Sequence, residues 1–222
     1  MCDARMWTDD VRALLLKHGL DIIDADVAQD DSIASMAARA LSAAEGPLLA
    51  IGFSMGGIVA LEMARQAQGR VLGLVLIDTN ATADLPERAA VRPGQQARVR
   101  DGQLATIVAD EMKPVYLAAE NRGDVALKDL LFDMAIGLGP DVFCAQSEAL
   151  RTRADNVTVL GDFAGPILIL CGAEDRLCPP DWHRAMARRA PRATLAVIDG
   201  AGHMLPLERA DALAMLLGHW ID

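Results

Sequence analysis

Residues 47–57 read PLLAIGFSMGG. Pro47 to Phe53 is a short apolar run without strict alternation, the pattern of a strand buried on both faces. Met55 to Ala67 carries apolar residues at helical spacing and stops at Gly69. Between them, Gly52-Phe53-Ser54-Met55-Gly56 fits G-x-S-x-G, a sharp strand-to-helix turn that lifts a serine hydroxyl clear of a sheet. Glycine is expected on both sides of Ser54 because larger side chains would clash in so tight a turn. The helix N-terminus beneath the turn favours negative charge developing there.

Outward from this turn, strands and helices alternate. Thr8 to His18 reads as a helix with a Thr cap, acids in its first turn and a basic last turn, stopped by Gly19. Leu20 to Asp24 (LDIID) reads as a short strand. Asp31 to Ala44 is the next helix and Val71 to Ile77 (VLGLVLI) the next strand. The pattern returns late in the chain, with strands at Pro166 to Cys171 and Thr194 to Ile198 and helices at Asp181 to Arg189 and Arg209 to Trp220. Strands separated by helices define an α/β protein, with a mostly parallel sheet and helices on both faces. From about residue 81 to 155 the strand rhythm is lost. That stretch reads as helical, broken at Pro93-Gly94, Pro114, Gly123 and Gly139-Pro140. The expected organisation is a core in two parts, 1–80 and 156–222, with a helical insertion at 81–155.

A serine hydroxyl is a poor nucleophile until a base takes its proton. The chain has four histidines: His18, His183, His203 and His219. His203 lies in GAGHMLP, in a loop just past a strand, where parallel sheets place their sites. His18 and His219 fall in last turns of helices, and His183 in a first turn with no strand end to aim it. The base needs a carboxylate to fix its tautomer. Asp175 follows the strand PILILC in the loop GAEDR and is placed first. Asp78, at the end of VLGLVLI, comes next. Glu174 should point the other way by alternation, and Asp199 stands only four residues before His203. Ser54, Asp175 and His203 are thus the candidate catalytic set.

These segments together resemble the α/β-hydrolase superfamily. GFSMGG after a strand, LILCGAEDRLCPP and GAGHMLPLERAD are similar to its nucleophile, acid and histidine segments, in its order. CDARMW at the start, LIDTNA and FCAQSEALRTRAD are similar to a group of bacterial esterase-like members. The resemblance implies an α/β-hydrolase fold with 81–155 as a helical lid, and ester hydrolysis with no metal or organic cofactor. The same triad serves thioester, lactone, carbon–carbon-bond and peracid chemistry. A catalytically impaired protein that binds a small ligand or partner, or an acyltransferase, are the alternatives. Relatives of this kind have leading strands and a Pro-Gly-type loop that gives one oxyanion amide. This sequence opens inside that loop, so it is expected to lack the N-terminal strands and to leave a sheet edge bare. Met55 offers one oxyanion amide; the second would come from Met1 or Cys2.

Composition narrows the partners. The chain has 222 residues, 52% of them hydrophobic and 4% aromatic, so one full core of Ala, Leu, Val, Ile and Met is expected. A net charge of −10 repels phosphate backbones and anionic membranes. That argues against a nucleic-acid or membrane partner and says nothing of a small neutral substrate; a small-molecule, ester-like substrate is what the resemblance implies. Cys2, Cys144, Cys171 and Cys178 form no Cys-x-x-Cys pair and no histidine cluster stands near them, so reduced thiols are expected rather than a zinc site or disulfides. Met1 to Asp10 has no apolar signal core, and no run approaches the roughly 18 apolar residues of a spanning helix. A cytoplasmic location is expected.

Overall fold

The computed structural model describes residues 1–112 and 115–222. Its first half runs α1 (Asp9–Lys17), α2 (Ile33–Ser42), β1 (Leu48–Phe53), α3 (Met55–Gln66) and β2 (Val71–Ile77). Then come α4 (Pro86–Arg98), α5 (Leu104–Thr106) and α6 (Val125–Thr152). The last part runs α7 (Val157–Asp162), β3 (Ile167–Gly172), α8 (Pro180–Arg189), β4 (Ala193–Ile198), α9 (Leu205–Glu208) and α10 (Ala210–Ile221). The four strands form one sheet in the order β1-β2-β3-β4, every pair parallel.

Successive residues of the central strands serve opposite faces, as the two-residue strand period requires. Leu74, Leu76, Ile167 and Ile169 pack under α3, α7 and α8. Val75, Ile77, Leu168 and Leu170 pack under α1 and α10. Both faces are therefore dry, and each buried Leu or Ile contributes about 1.5–3 kcal/mol relative to exposure. This is why VLGLVLI and ILILC are continuous apolar runs. Parallel order brings the carboxyl ends of all four strands to one edge. The loops that leave that edge carry Ser54, Asp78, Asp175 and His203.

Two expectations need correction. Leu20 to Asp24 is not a strand. Leu20 and Ile22 do turn toward the core while Ile23 faces out, so the alternation is real. No strand among the described residues pairs with it, however, and a strand exists only through a ladder partner. β1 closes one end of the sheet, and its outer edge is unpaired among the described residues. Pro93-Gly94 does not break the chain either: α4 runs through both. They sit on the exposed face, where water can satisfy the carbonyl that Pro93 leaves unbonded, while Gln96 and Val99 anchor the other face. The interruption comes instead at Gly102, whose φ is 85°. At Gly139-Pro140 the helical run of α6 is interrupted as expected, Gly139 having φ 83° and ψ 175°. Pro114 lies outside the described residues.

Arg153 pins the two ends of the helical stretch together. Its guanidinium donates to Thr82 O and Leu150 O and pairs with Asp84 at 2.8 Å. Asn156 N–H donates to Ala81 O. Among the described residues no helix is long and apolar enough to cross a membrane.

Candidate active site

Ser54 sits at the turn between β1 and α3 with φ 50° and ψ −115°, a conformation that costs of order 1–3 kcal/mol outside glycine. The surroundings hold it there. Ser54 N–H donates to Ile77 O, Thr79 Oγ1–H donates to Ser54 O at 2.6 Å, and Gly57 N–H donates to the same carbonyl. A side chain at Gly52 would run into the backbone of Gly56 and Gly57. The steric requirement on the other side falls one residue later than expected. A Cβ at Gly56 meets nothing within 4 Å, whereas one at Gly57 would lie 2.6 Å from Thr79 Cγ2. Gly57→Ala is therefore expected to cost about 1–3 kcal/mol through overpacking, and Gly56→Ala to stay within about 0.5 kcal/mol. Thermal melts of the two variants check this; equal losses would show that Thr79 does not set the limit.

The structure brings Ser54, His203 and Asp175 together. Ser54 Oγ–H donates to His203 Nε2 at 3.0 Å, and His203 Nδ1–H donates to Asp175 Oδ2 at 2.9 Å. His203 and Asp175 are buried; Ser54 is half-buried at the mouth. The second carboxylate oxygen, Asp175 Oδ1, accepts from Leu177 N–H and Cys178 N–H at 2.8 and 2.9 Å. Those two bonds leave Oδ2 for the histidine. Phe53 and Tyr116 flank the imidazole, with ring centroids 5.2 and 5.8 Å away.

Asp78 is close by but does another job. It is fully buried, with φ 46°, and touches no histidine nitrogen. Its Oδ1 accepts from Gly172 N–H at 2.9 Å and its Oδ2 from Leu205 N–H at 3.3 Å, so it ties the acid loop to the histidine loop. Burial, then the charge of Asp175, pushes its carboxyl well above the usual range. Glu174 points away from His203 and accepts from Ala119 N–H.

Several neighbours were not legible in the sequence. His183 is fully buried; its Nε2 accepts from Thr79 N–H at 3.0 Å and its Nδ1–H faces Pro179 O at 3.3 Å. Burial pushes it down to about 4, so it serves as a neutral acceptor that fixes Thr79, and through Thr79 the serine turn. Cys178 brings its sulfur to the triad: donor atoms of Asp175, Cys178 and His203 lie within 4.8 Å of one another. Burial pushes its thiol up to about 12, away from the reactive thiolate.

Met55 opens α3, where first-turn N–H groups have no partner within the helix. Cys2 packs in an apolar cluster with Phe53, Tyr116, Met134 and Met204, beside the serine turn. Met1 turns instead to a cluster built from the helical stretch, with Val99, Ile107 and Phe132. Surface cavities of about 330 Å³ and 150 Å³ open elsewhere, the first against Arg100 and Cys144 and the second against Glu62 and Asn156. Neither borders Ser54, Asp175 or His203.

The sheet, the serine turn and the loop order define an α/β hydrolase. The family model described as "Alpha/beta hydrolase family" matches residues 7–216, and the chain belongs to that family. It is 31% identical over 191 residues to a pimeloyl-[acyl-carrier protein] methyl ester esterase of Xanthomonas campestris pv. campestris (strain B100), covering 82% of this chain and 74% of that protein. The protein of the same name from Methylococcus capsulatus is 30% identical over 204 residues, covering 86% and 77%. Among solved structures, a thermophilic esterase from Thermogutta terrifontis matches with a TM-score of 0.88 at 28% identity, covering 99% of this chain and 85% of the other. An enol-lactonase from Burkholderia xenovorans LB400 shares the fold, with a TM-score of 0.81 at 20% identity over 99% and 87% of the two chains.

Proposed function

We propose that the chain hydrolyses a carboxylic ester of a small apolar substrate through an acyl-enzyme on Ser54. The observation that carries this reading is the line from Ser54 Oγ through His203 to Asp175, with contacts of 3.0 and 2.9 Å. His203 Nε2 takes the hydroxyl proton as Ser54 Oγ attacks the acyl carbon. The carbonyl oxygen becomes an oxyanion, met by the Met55 amide and, from the packing of the N-terminal segment, by Cys2 rather than Met1. Collapse breaks the ester C–O bond, and His203 returns its proton to the leaving alcohol. A water then repeats the sequence on the acyl-enzyme, releasing the acid and restoring Ser54. Asp175 holds the Nδ1 proton throughout and stabilises the imidazolium. Residues 81–155 act as the lid, with Leu127, Leu130, Leu131 and Met134 supplying an apolar wall to the cluster beside Phe53.

The experiment is labelling with a fluorophosphonate probe together with turnover of a short-chain activated ester. Labelling confined to Ser54 with turnover supports the hydrolase. Binding without labelling would favour a catalytically impaired ligand-binding protein, and preferential acyl transfer to an added alcohol would favour an acyltransferase.

Charge narrows the substrate further. The pimeloyl esterases are named for a methyl ester held by an acyl-carrier protein. Here the stretch 81–155 holds nine bases against twelve acids within a chain of net charge −10. Arg92, Arg98, Arg151 and Arg153 are each paired with an acid. This surface would repel an acidic carrier, and we propose that the ester arrives free. A methyl ester free in solution is expected to give at least about ten times the kcat/KM of the same ester on a carrier protein. The carrier-bound rate should rise as salt screens the repulsion, between roughly 50 and 300 mM. A carrier-bound rate that falls with salt would reverse this assignment.

A further inference from the structure

Glu208 stands at the end of α9, and its carboxylate accepts four hydrogen bonds. Oε1 takes Gly202 N–H at 2.8 Å and Met204 N–H at 3.2 Å, the amides on either side of His203. Oε2 takes Ala118 N–H at 2.7 Å and Asn121 Nδ2–H at 2.9 Å, both from the stretch before α6. One side chain therefore grips the histidine loop with one oxygen and residues 116–121 with the other. The two segments also touch directly. His203 N–H donates to Tyr116 O at 2.7 Å, and a Cβ at Gly202 would lie 2.6 Å from Ala118 N and Tyr116 O. Glu174, beside the acid, adds a bond from Ala119 N–H at 2.9 Å. The segment Tyr116–Ala119 is thus a strap laid across the base of the triad, with the Tyr116 ring against the imidazole.

We infer that Glu208 is a positioning residue: it sets the orientation of His203 and makes that orientation depend on the strap being seated. The inference rests on the hydrolase reading of the triad. Four donors meeting two oxygens require a group that only accepts, which is a carboxylate and not an amide. Carboxylate acceptors also hold backbone N–H groups more firmly than neutral ones. A displacement of His203 by about 1 Å would lengthen both contacts of the triad, and such misplacement costs about a hundredfold in rate.

Glu208→Gln keeps the shape and turns an –NH2 toward either Ala118 and Asn121 or the amides flanking His203. Its kcat on a short-chain activated ester should fall about a hundredfold, with KM changed less than about threefold. Labelling of Ser54 by fluorophosphonate should slow by a similar factor. The low-field proton resonance of His203 Nδ1–H, bonded to Asp175, should shift or broaden while the protein still melts cooperatively. Where Glu208→Gln does not accumulate in folded form, Glu208→Asp carries the same test, since the shorter chain keeps the charge but reaches only one side. An unchanged kcat and resonance in a folded variant would overturn the inference. So would equal kcat losses in Glu208→Gln and Glu174→Gln, because Glu174 bonds the strap and not the amides beside His203. A wild-type chain that neither labels nor turns over ester would instead refute the hydrolase reading. The resonance needs no turnover and then still decides the role of Glu208.

Discussion

Ser54→Ala is expected to remove ester hydrolysis almost completely, by about six orders of magnitude in kcat, while leaving the fold intact. The proposed attacking atom is lost, and no other hydroxyl among the described contacts reaches His203 Nε2. The fold does not depend on that oxygen. The turn is held through the Ser54 backbone, by Ile77 O, Thr79 Oγ1 and the first turn of α3. Alanine occupies the φ 50° position at the cost serine already bears, so the melting temperature should move by only a few degrees. Ground-state binding of an ester should survive as well, since the hydroxyl acts chiefly as the bond forms. The measurements are turnover of an activated ester, fluorophosphonate labelling and a thermal melt on the same preparation. A well-folded Ser54→Ala protein with undiminished hydrolysis would mean that the reaction proceeds elsewhere on the chain.

The serine turn was legible because its signals are local. An apolar run, a glycine-flanked serine and a helical run all lie within 47–67, and they fold as β1, the turn and α3. The strands β2 and β3 were legible for the same reason: buried on both faces but for Leu72, they leave apolar runs bounded by helices. β4 is only half-buried, but its run from Thr194 to Ile198 is just as local a signal. Leu20 to Asp24 misled because strand propensity is local and strand pairing is not. Pro93 misled because its cost depends on which face of α4 meets water. The requirement at Gly57 was invisible because Thr79, which creates it, stands on another strand's end. His183 and Thr79 are 104 residues apart, and Glu208 and Ala118 are 90 apart. No spacing rule links such pairs. Asp175 and Asp78 looked alike in sequence, each an acid just past a buried strand. Only the direction of their oxygens separates them.

That direction yields an asymmetric expectation for the two acids. Asp175→Asn should lower kcat by about 10³–10⁴. The reason lies in the unequal surroundings of its two oxygens. The Oδ1 position faces two N–H donors, from Leu177 and Cys178, so the amide oxygen of the variant must sit there. The –NH2 is then turned on His203 Nδ1, which has to accept. The ring proton moves to Nε2, where it faces Ser54 Oγ, and the base can no longer take the serine proton. Asp78→Asn should do far less to the rate, about tenfold or smaller, because Asp78 touches backbone amides and not the imidazole. Asparagine tolerates the positive φ at 78, so the backbone is not strained further. One of the Gly172 and Leu205 amides loses its acceptor, which costs about 1–3 kcal/mol of stability. The two variants should therefore separate cleanly: Asp175→Asn slow and stable, Asp78→Asn active and less stable. Paired measurements of kcat and melting temperature check both halves, and the opposite ranking in kcat would make Asp78 the acid that serves His203.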